Sequence, residues 1–171
     1  MALFTDGAIA SLSDLRDYES SILDLAGSQR IDISAKLALA QRELGLEVTS
    51  FLLKRGGQLD SQRRLGNLVV TEAVLHAHTI STLALIYRDA CNSQLNDRYE
   101  NKWKQYEELA RRAMSQLFEI GIGLTTSPVE KAATPTLTTV AGGVRPATTW
   151  YVKAAGMSFS GSTGAHSDMV M

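Results

Sequence analysis

The chain has 171 residues, 44% hydrophobic and 20% charged, with a formal net charge of −1. That length suits one domain able to bury most of its apolar surface, and the even charge balance excludes the strong basic excess that wrapping nucleic acid demands. A single cysteine, Cys91, cannot close an internal disulfide.

The start, "MALFTDGAIA", has no basic residue ahead of its apolar stretch and is interrupted by Asp6, so no secretory signal is expected. No run approaches the roughly 18 apolar residues of a membrane span, and a soluble protein with no membrane partner is expected. Composition then changes near residue 120. Among 17 basic and 18 acidic residues, only Glu130, Lys131, Arg145, Lys153 and Asp168 lie beyond it, together with all 3 prolines. The pattern predicts a mainly α fold: a four-helix bundle-like domain over 1–120, then an extended C-terminal arm with a short β-hairpin over 121–171.

Four helices are predicted in chain order. The first carries Leu12, Leu15, Tyr18, Ile22 and Leu25 at helical spacing, with Ser11 and Asp14 placed to cap its start and Gly27 to end it. The second follows Asp32 as N-cap, with Ile33, Leu37, Leu44, Val48 and Phe51 on one face and "RGG" at 55–57 as a stop. Gly45 inside it predicts a kink or a close helix contact. The third, near 67–92, is apolar around most of its circumference apart from a narrow stripe of Thr71, His78, Thr79 and Thr82. Such a helix belongs at the centre of a bundle or under another subunit.

The fourth follows Asn96 as N-cap. Tyr99, Trp103, Tyr106, Ala110, Ala113 and Leu117 share one face, with Glu100–Lys104, Glu107–Arg111 and Glu108–Arg112 at ion-pair spacing on the others. The aromatics form an anchoring stripe suited to a half-buried groove, since tyrosine and tryptophan carry polar tips.

Beyond the helices, "GIGLTTSPVEKAATP" is expected to be a linker or extended arm. Two strands are expected at 136–141 and 148–155, followed by a glycine- and serine-rich end. An isolated hairpin is marginal in water, so its strands are expected to seek a neighbouring chain.

No residue pattern specifies a reaction. In a helix, His76 and His78 lie about 200° apart and cannot chelate one metal; His76, one turn after Glu72, is expected to bond to it at the bundle edge. Cys91 is read as a small, buried apolar residue and His166 as a solvated loop residue. "GSTG" at 161–164 lacks the lysine of a phosphate loop, while "QRRLG" at 62–66 is a small, solvated basic turn. No catalytic residue, cofactor or metal is expected, and an enzyme is not.

The run "CNSQLNDRYENKWKQYEELARRAMSQL" resembles the closing helix of the head–tail connector (head-completion or adaptor) proteins of tailed bacteriophages, through Asp97, Tyr99, Lys102, Trp103 and Tyr106. The end, "ATTWYVKAAGMSFSGSTGAHSD", resembles a strand-turn fragment of virion proteins, with Gly164 and Ser167 in its closing motif. The chain departs from this family by adding a long segment after its helices. The resemblance implies a structural virion protein of the neck: a homo-oligomeric ring, commonly dodecameric, that binds the portal protein, meets a tail or tail-completion protein, and lets DNA pass non-specifically through its channel. Contacts would run through Tyr99, Trp103 and Tyr106 on the helix and Trp150, Tyr151 and Val152 on the arm. The alternative is a helical nucleic-acid-handling module such as a small DNA-packaging subunit, with "SQRRLGN" as its only basic candidate.

Overall fold

The computed structural model describes residues 2–56, 64–93, 97–138, 149–158 and 163–170. Within them the chain is mainly helical: α1 (Leu12–Tyr18), α2 (Ile22–Gln29), α3 (Ile33–Gly56), α4 (Glu72–Asn92) and α5 (Glu100–Ile120) are followed by an antiparallel hairpin of β1 (Ala155–Met157) and β2 (Thr163–His166). The four-helix bundle-like expectation and the arm's hairpin are both met in outline.

The first predicted helix is two. Ser11 and Asp14 form the expected reciprocal cap of α1, and the serine's side-chain and backbone bonds hold the Asp14 carboxyl below its ordinary range. The helix then breaks at Glu19, whose backbone turns extended at φ −142°. The Glu19 carboxylate accepts from Lys102 Nζ at 2.7 Å and from Tyr106 Oη at 3.1 Å, bonds that reach α5 and that local helical periodicity cannot reveal. Chain flow resumes in α2, which runs past Gly27 and ends where Arg30 takes a left-handed φ of 56°.

α3 starts where predicted, with Asp32 Oδ1 accepting from the backbone of Ser34 and Ala35. A Cβ on Gly45 would meet the Phe4 ring at 3.3 Å and the Leu65 side chain at 3.4 Å. The close approach expected at this glycine is thus made by the N-terminal segment rather than by another helix.

α4 is the central element. It begins at Glu72, later than the expected 67, because a 3-10 turn over Leu65–Asn67 and an extended stretch precede it and Thr71 caps it. Its first half puts Val74 and Ala77 into one core cluster with Phe4, Leu44, Val48, Leu68 and Leu117. Its second half puts Ile80, Leu83 and Ile86 into another, with Leu15, Ile22, Leu25 and Tyr106. Fully burying a leucine or isoleucine contributes about 1.5–3 kcal/mol, so α4 alone accounts for much of the bundle's stability. The polar stripe lies inside: Thr79 and Thr82 return their hydroxyls to Leu75 O and His78 O at 2.8 Å each, which satisfies them without water.

On α5, Tyr106, Ala113 and Leu117 are buried while Tyr99, Trp103 and Ala110 pack at the core margin, as the stripe predicts. Lys104–Glu100 and Arg112–Glu108 pair as expected, whereas Arg111 bonds Glu108 at 2.8 Å. The expected cap residue Asn96 lies outside the described residues; the visible lead-in is a 3-10 turn over Asp97–Tyr99.

Residues 121–125 are not a loose linker. Val69 N donates to Gly123 O and Thr125 N to Asn67 O, both at 2.9 Å, while Phe4 N donates to Leu68 O at 2.8 Å on the other side. Segments 2–4, 67–70 and 123–125 therefore form a short extended ribbon that closes the end of the bundle, each satisfying backbone groups of the next.

The arm's strands differ from those expected. Residues 136–138 are in no strand, and the rest of that candidate lies outside the described residues. In the second candidate, Val152 makes a single bridge with Val170, and the hairpin is built instead from Ala155–Met157 and the glycine-rich Thr163–His166. Gly164 explains this choice: a Cβ there would sit 2.7 Å from Val129 O and 2.8 Å from Glu130 O. Only glycine lets this strand lie against residues 129–130.

Candidate functional site

Three clusters bear on function. In the first, the Glu19 carboxylate is gripped by Lys102 and Tyr106, with the Tyr87 ring stacked on Tyr106 at 5.2 Å between centroids and 13° between planes. Burial is the main cause that raises Tyr106 to about 12 and Tyr87 further, with the Glu19 charge adding to both. Glu19 itself is held below its ordinary range: burial opposes this, but the Lys102 and Tyr106 hydrogen bonds outweigh it. The two phenols, the carboxylate and the Lys102 side chain make a structural knot between the α1–α2 break, α4 and α5.

The second cluster surrounds His76. Its Nδ1 lies 2.8 Å from Tyr18 Oη and the two rings are 5.7 Å apart, so Tyr18 on α1, rather than Glu72, is the partner found for it. Asp14, Asp17 and Glu72 share the small notch, of about 80 Å³. His78 points the other way, fully buried, its Nε2–H donating to Leu37 O at 3.0 Å. Nδ1 of the same ring finds no hydrogen-bond partner among the described residues, and burial lowers its pKa. The two histidines thus diverge as helical geometry requires. Among the described residues no group of three His, Cys, Asp or Glu side chains is placed to hold a metal ion, and no helix is long and apolar enough to cross a membrane. Cys91 is half-buried on α4.

The third cluster is the arm and the outer face of α3. Of the six contact residues expected, Tyr106 is buried in the core, and Tyr99 and Trp103 pack against it. Trp150 and Tyr151, by contrast, are 51% and 61% exposed. They precede Val152, whose N–H and C=O exchange hydrogen bonds with Val170 at 3.0 and 3.2 Å. The aromatic pair is therefore displayed from backbone fixed on one side. Ser167, the other residue of the closing motif, is buried and accepts from Ala154 N at 2.9 Å, which locks the hairpin's base.

Sequence reasoning missed the outward ridge of α3. Leu39, Leu46 and Leu53 recur every seven residues on the side away from the core; Leu46 is 72% and Leu53 42% exposed. Apolar grooves flank Leu46, one toward Ala110, Met114 and Phe118 of α5, the other toward Phe4 and Leu65. The seven-residue spacing was the available signal, masked by the stronger core stripe on the opposite face. Compared with protein-family models, curated proteins and solved structures, the chain matches none.

Proposed function

We propose that this chain is a structural assembly subunit, a head–tail connector or adaptor of a tailed-bacteriophage virion. It forms a ring at the neck, binds the portal protein on one side and a tail or tail-completion protein on the other, and surrounds a channel for DNA. The observation that carries this reading is the display of Trp150 and Tyr151, both more than half exposed, from an arm whose backbone is fixed by the Val152–Val170 bridge. Tyrosine and tryptophan held rigid in this way supply contact area at little entropic cost and are the residue types that dominate interface energetics. The exposed Leu46 ridge adds apolar surface suited to burial between subunits, and a net charge of −1 suits a wall past which DNA slides.

The test is a mass measurement of the purified chain, alone and mixed with a candidate portal, for the natural sequence and for the double variant Trp150→Ala/Tyr151→Ala. A complex with the natural chain that the folded variant fails to form is the expected result. Equal complex formation by both, or strong duplex-DNA binding at physiological salt with no portal complex, would overturn it.

A further inference from the structure

Among the described residues, the arm is cohesive within itself and is tied to the bundle by a backbone bond to Asp6. Inside residues 129–170, Gly164 lies against the Val129 and Glu130 carbonyls. Ala132 N donates to Ala165 O at 3.4 Å, Ser167 N to Ala154 O at 2.8 Å, and Lys131 Nζ pairs with Asp168 at 2.8 Å. These bonds all join arm to arm. The arm meets the bundle at Asp6, whose Oδ2 accepts from Leu3 N at 2.8 Å and whose Oδ1 accepts from Lys131 N at 3.0 Å. Beside that bond a cavity of about 220 Å³ remains between Leu3, Gly7, Ala8 and Val70 of the body and Ala165 and His166 of the arm. The connection between Thr125, bonded to Asn67 of the body, and the arm is a bend at Thr126 and Ser127 followed by Pro128.

We infer that the arm, residues 129–170, is an exchangeable element that seats on the Asp6 loop of a second copy of this chain. A unit that keeps its own contacts when displaced, joined by a short proline-bearing bend, can leave one seat and enter an identical one, and each copy's seat is completed by the other's arm. The bond from Lys131 N to Asp6 Oδ1 is then formed between chains instead of within one. Leu137, Met157 and Met169, all exposed on the arm and at 43%, 72% and 54% accessible, supply apolar surface for that neighbour. The inference rests on the assembly reading above, and names the second copy as the arm's occupant.

The experiment places one cysteine on each wall of the cavity, Ala8→Cys and Ala165→Cys, in a background where Cys91→Ser removes the native thiol. The two single variants are purified separately, checked for helical content, unfolded and refolded together at high concentration, and treated with a short bifunctional thiol cross-linker. Exchange gives a covalent band at twice the chain mass in the mixture and not in either variant alone. The chain carrying both cysteines gives linked dimers under the same conditions. Internal closure of that double variant with no linkage in the mixture overturns the exchange. Light scattering then separates the two readings: oligomers that close only internally sink the exchange and leave assembly standing, whereas a monomer at every concentration removes both. If either cysteine prevents folding, Ala2→Cys with His166→Cys repeats the test from other residues that line the same cavity.

Discussion

Glu19 and Tyr106 lie 87 residues apart in sequence and their side chains meet at 3.1 Å, the phenol donating to the carboxylate that also holds Lys102 at 2.7 Å. This contact sits where α1 stops and α2 has not begun, and it binds that break to the aromatic face of α5. The helix is interrupted so that one carboxylate can reach two elements.

Replacing Glu19 by alanine leaves the Tyr106 hydroxyl and the Lys102 side chain without their shared acceptor. The Glu19 side chain is 15% exposed, so desolvation is substantial, and a loss of about 1–3 kcal/mol follows. For a chain of this size each kcal/mol lowers Tm by about 2–4 °C. Urea unfolding of Glu19→Ala against the natural chain measures it; an unchanged midpoint would show that the knot contributes nothing.

Acidification acts on the same residue. The folded-state pKa of Glu19 is lowered from 4.5, so its contribution is complete above the unfolded value and is lost as pH falls through the lower folded one. Between pH 7 and 5 it adds no slope, and stability lost in that window must come from elsewhere.

His78 is the group whose burial predicts such a loss. Burial lowers its pKa from 6.5, opposed by the Leu37 carbonyl and the Asp14 charge. The unfolded chain therefore binds a proton that the folded one refuses, and stability falls as pH drops below about 6.5 toward the folded value. His78→Leu should flatten the change in urea midpoint between pH 7 and 5.5, and an unchanged pH dependence in that variant would show that His78 does not supply it.

Gly164→Ala places a methyl against two carbonyl oxygens, at 2.7 and 2.8 Å. Overpacking of this kind costs about 1–3 kcal/mol, and here it falls on the arm's internal packing rather than on the bundle. Limited proteolysis should cut the variant within residues 126–135 faster than the natural chain, while its helical circular dichroism stays the same.

Trp150→Ala and Tyr151→Ala, at positions more than half exposed, should each change stability by less than about 0.5 kcal/mol while weakening assembly. A large loss of stability instead would mean that the pair is a fold element. Calorimetry on each folded variant, run beside the portal-binding measurement, separates the two.

The sequence by itself determined the helices of the bundle, the buried course of α4 and the wet and dry faces of α5. These follow from 3.6-residue periodicity, caps such as Ser11 and Asp32, and the positions of charge, all of which act over a few residues. Tertiary structure decided the rest. The break at Glu19 exists because Lys102 and Tyr106 wait on a distant helix. His76 meets Tyr18 because α1 crosses α4 at that turn. The hairpin formed from the glycine-rich end, since only Gly164 can pass the Val129 and Glu130 carbonyls, and residues 149–154 of the β-branched, aromatic candidate lie outside the two strands. Strand propensity describes a side chain on a pleated surface; which surface a chain finds is settled by the backbone that lies across from it.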